Sequence, residues 1–183
     1  MSTAKFEADG TLVFSGAATT FEDLSSGATA TKQGSTLKPD FDETNIGLLF
    51  PQNDPAEIVY IVHQMSHSKL MNSSIYPHIH FNQTSSSVPV FKMDYRWYKL
   101  GAAPTGAFTT VSTTTAVFTY VSGTISQVYS WAAISAPSTE TVSSIFECKL
   151  YRDDNVVTGD VLVKAFDIHY EKDTLGSRTE FVK

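Results

Sequence analysis

The segment at residues 75–81 reads IYPHIHF and the chain closes on FDIHYEKDTLGSRTEFVK; together they hold three of the five histidines. In an extended chain the side chains alternate between faces, so His78 and His80 share one face while Ile79 and Phe81 take the other. The same alternation puts Asp167 and His169 together, opposite Phe166, Ile168 and Tyr170. Two imidazoles side by side on a strand suit a metal ion, because a His or carboxylate from a neighbouring strand can complete the site. The metal candidates are His78, His80 and His169, with Asp167 orienting an imidazole from behind. The alternative is a polar sheet face, hydrogen-bonded internally or packed against another subunit. That second reading is preferred, so the expectation is no bound metal, no cofactor and no catalytic residue.

Other segments carry weaker signals. His63 and His67 have i, i+4 spacing, but EIVYIVHQMSH reads as a strand, which splits the pair and leaves His67 at the strand end. Arg152-Asp153-Asp154-Asn155 opens like an oxygen-rich calcium loop without the later ligand spacing, and a solvated hairpin loop explains it. DYRWYK (residues 94–99) offers Tyr95, Trp97 and Tyr98 as a sugar-stacking platform. Alternation instead groups Phe91, Met93, Tyr95 and Trp97 on one half-buried face. Cys148, the single cysteine, shares a face with Phe146 and Leu150 and reads as an inert core thiol. No nucleophile elbow, phosphate-binding loop or dinucleotide fingerprint is present, so the chain is not expected to be an enzyme.

The elements that must position these residues are strands. Ser, Thr, Val, Tyr and Phe are plentiful, the composition of strands and exposed loops. Strands are predicted over 58–65, 76–82, 90–98, 117–121, 125–131, 144–151 and 161–170, separated by Gly, Pro, Ser and Asn clusters. Tight connections fall at Ser122-Gly123 and over 152–160. The fold class is therefore all-β, an antiparallel β-sandwich or jelly roll. Residues 1–55 hold scattered apolar positions and one short strand over 11–14, and read as an extended N-terminal arm wrapping its own domain or a neighbour, with plain terminal disorder as the alternative. Residues 56–183 form the β-sandwich domain. The tracts at 85–87 and 113–115 read as loop or strand-edge residues.

With 183 residues, 42% hydrophobic and 17% charged, the chain has material for one sizeable core. A net charge of -6 supplies no electrostatic pull toward nucleic acid. No run reaches the roughly 18–20 apolar residues of a membrane helix, so no membrane insertion is expected. The N-terminus MSTAKFEADG lacks the basic and apolar regions of a secretory signal, so synthesis in a cytoplasm without a signal peptide is the expectation.

The ordered set FEDL (21–24), HQMSH (63–67), YPHIHF (76–81), MDYRWYKLG (93–101), LYRDD (150–154) and DIHYEKDTLGSR (167–178), running on to the terminal Lys183, resembles a recurring family of tailed-bacteriophage virion structural proteins of the tail-fibre, spike or head-appendage type. Its members follow a PHIHW-type strand with a W-x-x-x-Y-x-W-type strand and end in D-I-H-Y with a GSR tail. Phe81 stands here in place of the usual Trp, and Met65-Ser66 in place of Leu-Pro. The resemblance implies a non-enzymatic virion protein, a homotrimeric β-sandwich whose partners are its own copies and other virion proteins; exposed Ser, Thr and Asn loops and aromatics would also permit contact with host surface carbohydrate. Threefold association would bury a face such as the one with His78, His80 and His169. Two alternatives stand beside it. Cupin-type metal proteins open their site with a similar H-x-H strand, although Asn82, Gln83 and Thr84 occupy the region of their Glu. A monomeric carbohydrate-binding module would use Trp97.

Overall fold

Burial at every second position organises the chain. The computed structural model describes all residues except 1, 9, 17, 36, 84–86, 117–122, 155–156, 177–179 and 181–183. Among the described residues the strands are β1 (Thr3–Phe6), β2 (Leu12–Ser15), β3 (Thr20–Gly27), β4 (Lys32–Gln33), β5 (Asp40–Asp42), β6 (Gly47–Phe50), β7 (Val59–Gln64), β8 (Ile75–Gln83), β9 (Phe91–Tyr98), β10 (Thr109–Ala116), β11 (Gly123–Trp131), β12 (Ile145–Arg152) and β13 (Val161–Lys172), with a 3-10 turn at Ala28–Ala30. In β7 the residues Val59, Ile61 and His63 are buried while Tyr60, Val62 and Gln64 are exposed. β12 repeats the pattern with Phe146, Cys148, Leu150 and Arg152 inward. A half-buried pleated surface of this kind must cover one face against another sheet.

Two antiparallel layers do so. One runs β4-β7-β12-β9 and the other β11-β8-β13, with β13 continuing to β6 and β5 over its first residues and to β3 over the rest. β10 joins them: Thr109–Ser112 pair with β9, and Thr113, Thr115 and Ala116 pair with β11, with a register shift between Thr113 and Thr115. Such a bulge bends a strand and lets it change sheets. Rings meet between the layers, Phe50 against Phe91 at 5.5 Å and His63 stacked on Phe166 at 6.2 Å. The fold is an all-β antiparallel sandwich of the jelly-roll kind.

Residues 20–50 add strands to this sandwich. β3 pairs with β13 over eight residues, Phe21 opposite Glu171 and Asp23 opposite His169. β4 adds to β7, and β5 and β6 extend β13. Strands from 1–55 and from 56–183 therefore share both sheets. Gly47 permits the approach of β6 to β13, since a Cβ there would meet Leu162 Cδ1 and the Val163 carbonyl oxygen, each at 2.8 Å. The predicted strand at 117–121 and the turn residue Ser122 lie outside the described residues. The tract at 113–115 belongs to β10, where Thr113 Oγ1 accepts a hydrogen bond from Phe91 N at 3.1 Å.

His63 is a titratable group inside this core. Its Nε2 lies 3.3 Å from Ser26 Oγ. Burial pushes its imidazole below the ordinary value of 6.5, against the pull of the Asp167 charge. Below about pH 6.5 the unfolded chain gains a proton that the folded chain resists, so the stability tied to His63 is complete above that pH and declines as the pH falls toward the lower folded value. Thermal unfolding midpoints are expected to drop between about pH 7.5 and about pH 5.5, and less steeply in His63→Phe. Equal slopes in the two proteins would show that His63 contributes nothing to the acid sensitivity.

Candidate functional site

The outer face of β11, β8, β13 and β3 gathers the polar residues that the core rejects. Ile75, Ile79 and Phe81 on β8 and Phe166, Ile168 and Tyr170 on β13 are turned inward and at most 2% exposed. Period-two geometry then sends Tyr76, His78, His80, Asp167 and His169 outward. Register completes the placement, with Asp167 directly opposite His78 on one side and Ser130 opposite it on the other. His80 sits across from Ala165, one pair from the register shift near Val163.

All three predicted histidines meet here. The His78 ring centroid lies 5.2 Å from that of His80 and 4.3 Å from that of His169. Their partners differ from the expected arrangement. Asp167, taken as an orienter behind the histidines, stands among them, its Oδ2 2.8 Å from His80 Nε2 and 3.7 Å from His78 Nε2. His169 instead pairs with Asp23 on β3, Nε2 to Oδ1 at 2.7 Å. Ligand atoms of His78, His80 and Asp167 all lie within 4.8 Å of one another. Burial pushes the His78 imidazole below its ordinary value and the neighbouring His169 adds to this, against the Tyr76 carbonyl and the Asp167 charge. A cleft of about 310 Å³ opens over the cluster, lined by Asp23, Tyr76, Val128, Ser130 and the three histidines. Asp23 had no sequence signal of its own, because its role depends on β3 pairing with β13.

The remaining candidates resolve individually. His63 enters the core, whereas His67 lies beyond the strand end with Nε2 2.6 Å from Ser143 Oγ. The loop starting at Arg152 is not solvated as expected: Arg152 and Asp154 are buried and paired, and Asp153 is bound to Lys92. Asn155 lies outside the described residues. Tyr95 and Trp97 pack on the core, with Trp97 Nε1 donating to Ser144 Oγ at 3.0 Å and its ring edge-on to Phe146. Around them lies a cleft of about 240 Å³ that also takes in Arg96, Tyr98, Pro104 and Pro137. Cys148 is 2% exposed, and burial, with the Glu147 charge second, pushes its thiol far up.

Fold and site together define an antiparallel β-sandwich with a histidine–aspartate cluster on one outer face and an aromatic cleft beside the other sheet. No family model and no curated protein matches the chain. Among solved structures it is similar to the CBM36-1 domain of a multidomain xylanase from the hindgut metagenome of Trinervitermes trinervoides, with 9% identity over 80% of this chain and 96% of that one and a TM-score of 0.48. A carbohydrate-binding module CBM36 in complex with calcium and xylotriose aligns at 16% identity over 79% of this chain and 98% of that one, with a TM-score of 0.45.

Proposed function

We propose that the chain is a non-enzymatic structural protein of a tailed-bacteriophage virion, a homotrimeric tail-fibre, spike or appendage component that associates with other virion proteins. The observation that carries this reading is how the motif segments pair. FEDL, YPHIHF and DIHYEK, far apart in sequence, form the consecutive strands β3, β13 and β8, with Leu24 opposite Ile168 and Pro77 on its other side. MDYRWY and LYRDD are neighbours in β9 and β12, with Leu150 opposite Met93. The set that resembles the phage family thus holds both sheets, as a shared scaffold would require. The outer face of β3 and β8 adds Phe21, 60% exposed, in edge contact with Tyr76 at 5.7 Å, an apolar patch beside charged groups and suited to a neighbouring copy. Light scattering on the purified chain is expected to give three times the chain mass, and a monomer at all accessible concentrations would exclude the trimer.

A second reading, sugar binding, rests on the aromatic cleft. Arg96 Nη1 donates to the Pro104 carbonyl at 2.6 Å and Tyr98 hydroxyl to Glu147 Oε2 at 3.3 Å, so polar groups are fixed around an aromatic wall. Rings with a few oriented polar groups suit a sugar. In the virion reading this cleft contacts host surface carbohydrate; in a free-standing binding module the same cleft works in a monomer. Glycan binding lost in Tyr98→Ala supports the cleft, and the mass measurement distinguishes the two settings.

A further inference from the structure

We propose that His78, His80 and Asp167 hold one divalent transition-metal ion in a site that, in the single chain, opens into the cleft over this sheet face. This assignment does not depend on the virion reading.

Two imidazole nitrogens and one carboxylate oxygen are a borderline donor set, matched to ions such as Zn2+, Co2+ or Fe2+ rather than to the all-oxygen shells of Ca2+ and Mg2+. Around a tetrahedral zinc, ligands at about 2.0–2.1 Å lie about 3.3 Å from one another. The separations of Asp167 Oδ2 from His80 Nε2 and His78 Nε2, 2.8 and 3.7 Å, straddle that value. With all three donor atoms within 4.8 Å of one another, side-chain rotations would bring them onto one ion. With its proton on Nδ1, His78 can donate to the Tyr76 carbonyl oxygen, 3.4 Å away. That tautomer leaves the Nε2 lone pair facing Asp167, the arrangement by which a backbone carbonyl orients a metal-bound histidine.

A second observation points to a cation. Asp167 is 7% exposed, and its Oδ1 is buried with no hydrogen-bond partner among the described residues. His80 accounts for Oδ2 alone, and a buried carboxylate oxygen without a partner is costly. A divalent ion bound to this carboxylate would supply the charge that a single imidazole contact does not. The ligands come from adjacent strands at the centre of a sheet, so the backbone fixes their spacing. His169 stays outside the set because Asp23 engages its Nε2. The cleft leads water to the remaining coordination positions, as an open three-ligand site requires.

The full chain, stripped with EDTA and dialysed, would be titrated with Zn2+ by calorimetry and with Co2+ by visible absorption. One ion per chain is expected, with Co2+ bands characteristic of low-coordinate nitrogen and oxygen ligation. His80→Ala and Asp167→Asn are each expected to weaken Zn2+ binding by more than about 100-fold, whereas His169→Ala stays within about tenfold of the parent chain. His80 is a third exposed on its side chain, so its replacement leaves the core intact; an unchanged far-ultraviolet spectrum and unfolding midpoint without metal check this. No saturable binding below about 1 mM, or binding that survives both His80→Ala and Asp167→Asn, overturns the assignment.

Discussion

Arg152→Ala is expected to lower the unfolding free energy by about 3–5 kcal/mol, and Arg152→Lys to recover less than half of that loss. Arg152 is 0% exposed and ends β12 on its inward face. Its Nε donates to Asp154 Oδ2 at 2.7 Å, and Nη2 donates to Asp154 Oδ1 at 3.2 Å and to the Val157 carbonyl. Nη1 donates to the Phe50 carbonyl at 2.9 Å and the Gly159 carbonyl at 2.6 Å. All five guanidinium N–H groups are used, and they tie β6, the end of β12 and the following loop together. An ammonium has three donors and no planar fork, so Lys leaves carbonyl oxygens and part of the carboxylate unsatisfied inside the core.

Asp154 makes the same loop sensitive to acid. Burial alone would raise its carboxyl; hydrogen bonds from Arg152 and from the backbone N–H groups of Val157 and Val90 outweigh that and hold it below the ordinary 3.8. A carboxyl lowered on folding contributes stability that is complete above the unfolded value and is lost as the pH falls through the folded one. For a chain of this length each kcal/mol moves the unfolding midpoint by about 2–4 °C, so Arg152→Ala is readable in a single thermal scan. A midpoint unchanged in Arg152→Lys would refute the five-donor account.

Wherever strongly apolar residues alternate, sequence periodicity already marked the strands. Val59–Gln64, Ile75–Gln83, Phe91–Tyr98, Ile145–Arg152 and Val161–Lys172 lie within a residue or two of their predicted bounds. β10 escaped because TTVSTTTA has almost no apolar side chains; its strand character comes from β9 and β11 on either side. β3 escaped for a related reason, since Thr20–Asp23 are exposed and only pairing with β13 fixes them as a strand. Alternation also gathered His78, His80, Asp167 and His169 correctly onto outward positions. It could not say that Asp167 stands opposite His78 rather than behind it, because that is a fact of register between strands about 90 residues apart. Arg152 was legible in principle: the series Phe146, Cys148, Leu150 continues onto it, and its charge masked a core position.

The largest remaining effect is expected at Lys69 and Glu140, whose side chains are each 1% exposed and meet at 3.0 Å. Lys69 Nζ also donates to the carbonyls of Leu70 at 3.1 Å and Ser73 at 2.9 Å, and it lies 5.1 Å from the Trp97 ring centroid. Glu140 Oε2 in addition accepts from Asn72 N at 2.7 Å, where φ of 63° places the backbone in the left-handed region. The pair therefore holds the turn between β7 and β8 that delivers the His78 and His80 strand. Lys69→Met leaves an uncompensated buried carboxylate, and Glu140→Gln leaves a buried ammonium without its counter-charge. Each single change is expected to cost about 3–5 kcal/mol. The double variant removes both charges but still strands the Leu70 and Ser73 carbonyls, while the amide oxygen introduced by Glu140→Gln can still accept from the Asn72 N–H. It is expected to fall short of the summed losses by about 2–3 kcal/mol while remaining less stable than the parent. Urea unfolding of the four proteins measures this coupling, and strictly additive losses would mean that the two charges do not depend on each other.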